Sequence, residues 1–272
     1  MISVINNFIM EVTMEDLLKM TGKNVVIMGV ANNRSLAWGV AQSLFKAGAN
    51  LIFTYRKDRS YTKLKKLLDE NEMAAAAVVP CDVNNDESIQ EAFQTIGEKV
   101  DCIHGVVHSI AFAHAEDLKG EFLNTSRSGF AFAQDTSAYS LIAVAKAAHP
   151  YMKEGGAITA MSYLGAERVV EGYNVMGVAK ASLESTVKYL AADLGKHNIR
   201  VNALSAGAIR TLAAKGVPSF NEILHKIEDT APLRKNVTKE EVGDMTLAMM
   251  SHLSRGVTGE IVYVDSGYNI LG

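Results

Sequence analysis

The chain reads as a doubly wound α/β domain, a Rossmann-type parallel sheet of about seven strands with helices on both faces. Three observations carry that reading. Short β-rich apolar runs recur along all 272 residues, separated by longer stretches with the 3.6-residue period of amphipathic helices. The runs are apolar almost throughout, as strands covered on both faces are. A glycine-bearing turn, GVANNRSLAWG (29–39), follows the first run and leads straight into the first amphipathic stretch.

The elements follow in order. MISVINNFIMEVTMEDLLKM (1–20) precedes the first strand signal, has no basic stretch ahead of an apolar one and carries Glu11, Glu15 and Asp16. That argues against an export signal and reads as an N-terminal extension before a single domain of residues 21–272. VVIMGV (25–30) is the first strand and 35–47 the helix after it; NLIFTYR (50–56) and 60–72 are the second pair. AAVVPCDV (76–83) leads to the helix 86–99, and CIHGVVHSIA (102–111) to a helix over 128–152. AITAMSY (157–163) precedes the helix 173–195, RVNALSAG (200–207) the helix 239–254, and EIVYVDSG (260–267) closes the sheet. The segment from Gly207 to Leu233 breaks the alternation, and so long an insertion in this fold is expected to be a substrate lid. With only four prolines there is no Pro-rich linker to mark a second domain.

Composition narrows the function classes. A 48% hydrophobic chain of this length can bury one large core. A formal net charge of -3 leaves no basic footprint for nucleic acid. No apolar run approaches the ~18 residues of a membrane span. Cys81 and Cys102 lie in apolar runs, as reduced thiols of a cytoplasmic protein do. The seven histidines show no metal-ligand spacing such as H-E-x-x-H, so no metal is expected, and His108 reads as a packing residue at a strand end.

The turn after the first strand is where this fold binds a dinucleotide pyrophosphate. Gly29 makes the turn, the helix opens near Ser35, and Gly39 removes a side chain where that helix nears the sheet. At the end of the second strand an acid would hold an adenosine 2′-hydroxyl, but here Arg56 and Lys57 stand instead. Two cations suit a 2′-phosphate, so NADPH is expected over NADH, with NADH possible. Asp82, at the end of the third strand, either meets the adenine amino group or caps the next helix.

YNVMGVAK (173–180) places Tyr173 and Lys180 seven residues apart. On a helix that spacing returns to one face after a rise of roughly 10 Å, and the Lys stem leans back toward the N-terminus. Alone, the pair reads as a solvated Lys and a half-buried Tyr. Together with Gly29, Ser35, Asp82, HSIA (108–111), YLG (163–165) and SAGAIRTLAAKG (205–216), however, it gives a chain that resembles the bacterial enoyl-acyl-carrier-protein reductases. These belong to the short-chain dehydrogenase/reductase superfamily, and the resemblance runs from about Gly22 to Asp265. It implies cofactor contacts at Gly29, Ser35, Leu36, Arg56, Lys57, Asp82, Val83, Ile110, Lys180 and from Ile209 through Arg210, Thr211 and Leu212 to Ala213. It implies an acyl substrate beside Ala113, Tyr163 and Tyr173, an acyl carrier protein as partner, and a homotetramer. Two departures stand out. The family usually has Pro where this chain has Ala208, and the helix expected near Ser219 has no Lys or Arg before Lys226 for an acidic carrier.

The seven-residue spacing also bears on chemistry. Ketone reducers of the superfamily carry Lys one turn after Tyr, where this chain has Gly177. Hydride addition to a trans-2-enoyl thioester puts charge on the distant thioester oxygen, so the phenol is needed farther away. Tyr173 would donate to the developing enolate. Lys180 would hold the nicotinamide ribose and favour phenolate character in Tyr173. Tyr163 either lines the pocket and assists or packs at its edge, and Ser162 reads as structural. A ketone or hydroxyacyl dehydrogenase, and a non-catalytic dinucleotide sensor, are the alternatives.

Overall fold

Seven parallel strands form the sheet: β1 (Asn24–Met28), β2 (Asn50–Tyr55), β3 (Ala75–Pro80), β4 (Gly105–His108), β5 (Gly156–Tyr163), β6 (Ile199–Ala206) and β7 (Ile261–Val264). Their order is β3-β2-β1-β4-β5-β6-β7, all parallel, in a computed structural model that describes residues 13–211 and 220–271. Strand order reverses between β1 and β4, which opens a crevice at the carboxyl ends of those strands. The helices are α1 (Met14–Leu18), α2 (Leu36–Lys46), α3 (Asp58–Glu70), α4 (Asp86–Lys99), α5 (Arg127–Gln134), α6 (Ser140–Ala148), α7 (Asn174–Leu194), α8 (Phe220–Thr230) and α9 (Lys239–Met250). Every strand expected from the apolar runs is present.

Alternate residues of those runs serve two cores. Val26, Ile52, Val106, Ile158 and Val201 pack with Ile96, Leu141 and Leu183 on one face. Val25, Ile27, Leu51, Phe53 and Leu204 pack with Trp38, Leu44 and Met249 on the other. Burial on both sides is what makes each run continuously apolar. Met20 is already in the second core, so the packed body reaches into the expected N-terminal extension, of which residues 1–12 lie outside the described residues.

Three local readings are corrected. The helix expected over 128–152 is divided into α5 and α6 by a π-helical turn, Asp135–Tyr139. Asn84 Nδ2 draws it inward by donating to Asp135 Oδ2 (3.1 Å) and Thr136 Oγ1 (2.7 Å), and Ser137 Oγ accepts the Phe112 N–H at 3.1 Å. Gly39 serves helix-helix contact rather than the approach to the sheet: a Cβ there would stand 2.2 Å from the Lys239 carbonyl oxygen on α9, and one at Gly243 would stand 2.4 Å from that of Gly39. Asp82 does not cap α4. Asn85 does, accepting the Ser88 N–H at 2.9 Å, while Asp82 Oδ1 accepts the Asn84 N–H.

The insertion after β6 contains α8, whose Leu224 and Ile227 pack with Ala208 and Ala231. Ala208 is buried there, in the position where the resemblance has proline.

Candidate active site

Apart from Lys180 on α7, the expected cofactor contacts among the described residues follow the carboxyl ends of strands. After β1, Gly29 takes φ +98°, and a Cβ on it would stand 2.0 Å from the Ser109 carbonyl oxygen. Only glycine lets this turn lie against the end of β4. Ser35 opens α2 without capping it; its Oγ accepts the N–H groups of Ala31 (3.0 Å) and Asn32 (3.1 Å) and so fixes the turn. The first N–H groups of α2 have no partner within the helix, which makes this end an anion-binding position, and Leu36 packs beside it.

After β2, Arg56 and Lys57 are exposed, and Lys57 precedes the first turn of α3. Neither side chain has a protein partner among the described residues, so both are available to a ligand anion. After β3, Val83 is buried and Asp82 is partly exposed. After β4, Ile110 packs on the first core. After β6, Ile209 packs on the second core, Thr211 N donates to the Ile209 carbonyl (2.7 Å), and Arg210 Nη1 donates to Asn221 Oδ1 (2.6 Å). Leu212 and Ala213 lie outside the described residues.

Tyr163 ends β5, and Tyr173 immediately precedes α7. Their rings meet edge to face, centroids 4.9 Å apart. Tyr173 also borders an apolar cluster of Ala113, Ala133, Val175 and Met176. Two glycines make room. A Cβ at Gly165 would lie 2.4 Å from Tyr173 Cδ1, and one at Gly177 would lie 2.7 Å from the Gly165 carbonyl oxygen. The position at which ketone reducers carry lysine therefore admits no side chain without displacing the 164–166 turn. Tyr173 itself is the N-cap, and Asn174 takes φ +38°, held by a 3.1 Å bond from its Nδ2 to the Gly120 carbonyl. The pair is thus not simply two residues on one helical face; tight packing of the 164–166 turn against α7 fixes the phenol.

Lys180 is buried, and its Nζ donates to the Met161 carbonyl at 2.6 Å. Burial pushes its pKa down to about 8, with the nearby Glu184 carboxylate opposing. Burial also lifts the Tyr163 phenol to about 12. The Tyr173 phenol is raised further, by burial first and then by Tyr163 and Glu184, although part of the residue reaches solvent. The expectation that Lys180 favours phenolate character in Tyr173 is corrected: the phenol stays protonated, the state that donates a hydrogen bond.

Two further polar groups lie under the site. His108 is fully buried, its Nε2 2.8 Å from Ser140 Oγ. Ser140 gives its own proton to the Thr136 carbonyl, so His108 donates from Nε2. Burial depresses its pKa to about 3, which suits the packing role expected of it. Ser162 Oγ donates to Glu184 Oε1 at 2.5 Å. Glu184 was missed from the sequence, although an acid on the Leu183–Val187 buried stripe of α7 was a visible signal. Among the described residues, one group of metal-type donors, Cys102, His104 and Glu154, lies near the opposite ends of β1 and β4. His104 Nδ1 accepts the Asn24 N–H (3.0 Å), so a metal at Nε2 would require an imidazolate; Nε2–H instead faces Glu154 at 3.3 Å.

A glycine turn at the switch point, a buried lysine held by β5 and two tyrosines in edge-to-face contact lie together at the carboxyl ends of the strands. The family model for enoyl-(acyl carrier protein) reductase matches residues 29–269, a span that contains all of these groups. The chain belongs to that family. It is 60% identical over 251 residues to the enoyl-acyl-carrier-protein reductase of Bacillus cereus, whose name specifies NADH, covering 92% of this chain and 98% of that one. The Staphylococcus aureus (strain MRSA252) reductase, whose name specifies NADPH, is 55% identical and covers 94% and 100%. A crystal structure of the Bacillus cereus reductase with NADP+ and indole naphthyridinone superposes with a TM-score of 0.91, covering 93% and 98% at 60% identity. The Aquifex aeolicus reductase superposes at 0.89 with 44% identity, covering 93% and 98%. Among the described residues of this reductase no helix is long and apolar enough to cross a membrane.

Proposed function

We propose that the protein reduces the trans-2 double bond of enoyl-acyl-carrier-protein thioesters in fatty acid synthesis, taking NADPH in preference to NADH. The observation that carries the reaction type is the Gly165–Gly177–Tyr173 contact, which excludes a lysine one turn after the tyrosine and holds the phenol at the apolar cluster. A bound nicotinamide cofactor would supply the hydride that adds to the β-carbon of the thioester, and the resulting enolate would take its α-carbon proton from solvent. Tyr173 donates a hydrogen bond to the thioester oxygen as enolate charge develops there, a contact stronger in the transition state than in the ground state. Tyr163 packs against that ring and closes the pocket edge. Lys180 holds the ribose hydroxyls from the floor of the site.

The preference for NADPH rests on Arg56 and Lys57, which are exposed and unpartnered at the end of β2 beside the first turn of α3. The relatives' names divide between NADH and NADPH, so these residues, not family membership, support the choice. The reductase acts in the cytoplasm with the acyl carrier protein as partner, and α8 serves as the lid over the acyl chain. It assembles as a homotetramer: α5, α6, α7 and the π-helical turn between α5 and α6 leave Phe130, Tyr139, Ile142, Val178 and Tyr189 exposed, apolar surface suited to a second copy.

The test is NADPH oxidation with a trans-2-enoyl thioester against the matching 3-ketoacyl thioester, in the parent, Tyr173→Phe and Lys180→Ala. The enoyl substrate should turn over far faster. Tyr173→Phe should lower kcat with cofactor binding retained, and Lys180→Ala should weaken cofactor binding as well. Equal rates on the two substrates would return the ketone-reductase reading to first place.

A further inference from the structure

The floor of the site contains an acid that the reaction as described does not use. Glu184 lies one turn after Lys180 on α7, and side chains four apart on a helix approach within about 5–6 Å at Cβ. Both residues are buried, at 8% and 5% exposure, in a layer otherwise filled by Leu183, Val187 and the residues of β5. A buried carboxylate is costly unless it is hydrogen-bonded or faces a cation. Here Ser162 Oγ–H donates to it at 2.5 Å, and the next residue back along β5, Met161, offers the carbonyl that holds Lys180 Nζ at 2.6 Å. Adjacent residues of one strand therefore grip the acid and the base.

We propose that the Ser162–Glu184 pair is the positioning and counter-charge unit of Lys180: it keeps the buried ammonium protonated and aimed at the cofactor ribose through the working pH range. This deepens the reading of Lys180 as the ribose-holding group and rests on it. An unaided lysine in this layer would lose its proton near neutrality. Glu184 opposes that loss, and the Ser162 bond in turn favours the carboxylate against the desolvation that raises the Glu184 pKa. The surrounding titratable groups leave Glu184 as the counter-charge. His108 from β4 is neutral, Tyr173 ahead of α7 is protonated, and Lys188 lies one turn further along α7. Glu167 follows β5 and is engaged by the Tyr263 hydroxyl from β7, while Asp265 accepts the N–H groups of Gly267 and Asn269.

The experiment is the NADPH dissociation constant, by nucleotide fluorescence, of the folded enzyme between about pH 6 and pH 9.5 for the parent, Glu184→Gln, Ser162→Ala and Lys180→Ala. Glu184→Gln keeps the shape and can still accept from Ser162 but loses the charge. Its binding should match the parent near pH 6, where Lys180 is protonated in both, and should be about tenfold weaker near pH 9, because the alkaline limb moves to lower pH. Ser162→Ala, which leaves the carboxylate less favoured, should move the limb the same way by less. Lys180→Ala should be weak at every pH and lack the limb. A Glu184→Gln or Ser162→Ala enzyme that binds uniformly weaker at all pH values, or follows the parent curve, overturns the counter-charge role. A Lys180→Ala enzyme that binds like the parent overturns the ribose role of Lys180 itself, which separates the two failures.

Discussion

Replacing Gly165 by alanine tests whether the position of the Tyr173 ring sets the rate. The added Cβ would lie 2.4 Å from Tyr173 Cδ1 and 2.8 Å from Cε1, whereas carbon atoms rest at about 3.5–4 Å, so the ring must retreat by ~1 Å. It cannot move freely, because Tyr163 packs edge-on against it and Val175 and Met176 lie in the cluster it borders. Overpacking of this kind costs about 1–3 kcal/mol of stability, and a misplacement of ~1 Å at a reacting group costs about 100-fold in rate. The expected result is a Tm lower by a few degrees, a kcat on an enoyl thioester lower by about two orders of magnitude, and an NADPH dissociation constant within about threefold of the parent. Gly195→Ala is the control: nothing lies within 4 Å of its Cβ, and its φ of -56° suits alanine, so it should leave kcat unchanged and stability equal or slightly raised. A folded Gly165→Ala enzyme with parental kcat, or one whose cofactor affinity falls as far as its rate, would refute the claim that ring position governs the chemical step.

Three other outcomes are expected. Changing Arg56 and Lys57 together to alanine should raise the KM for NADPH about tenfold and leave that for NADH nearly unchanged; equal changes would remove the 2′-phosphate assignment. Because Lys180 titrates at about 8 in the free protein, below its ordinary 10.5, NADPH binding should be full below that value and weaken as pH rises through it. Over the same window the unfolded chain holds the proton that the folded one has lost, so the contribution of Lys180 to stability should rise with pH from about 8 to 10.5, opposed above about 9 by the buried Cys81 thiol; a Lys180→Met enzyme whose pH dependence of binding and stability matches the parent would exclude this lysine as their source. Amides of α8, where only Leu224 and Ile227 are buried, should gain hydrogen-exchange protection when NADPH and a non-reducible enoyl analogue are bound; equal protection in the free enzyme would end the lid reading.

The framework was legible because burial on both faces writes itself into each strand: Val25 serves one core and Val26 the other, so successive residues of the run are predominantly apolar. Gly29 was legible for a similar reason, since a turn at that place in a doubly wound fold has few other solutions. What escaped were features whose cause lies elsewhere in the chain. Gly39 answers to Lys239 on α9, and the break at Asp135 answers to Asn84 in the loop before α4; no local window contains either partner. The capping role left open for Asp82 belongs three residues on, to Asn85, whose Asp86 and Glu87 neighbours were a readable first-turn signal.

The spacing of Tyr173 and Lys180 shows how a sequence reading can rest on an incomplete cause. Seven residues on a helix do place two side chains on one face, but Tyr173 caps α7 and is followed by Asn174 at φ +38°, so helical periodicity alone does not aim the phenol. The aim comes from the strand end. Gly165 in the turn after β5 touches the ring, Gly177 lets that turn lie on α7, and Met161 on the strand itself holds Lys180. The Tyr173 phenol and the buried ammonium are therefore both referenced to β5. A change in how the 164–166 turn sits must move the phenol relative to the ammonium, while a change along α7 alone must first break the contact between the two glycines. That is why the spacing could be read from the sequence and the residues that enforce it could not.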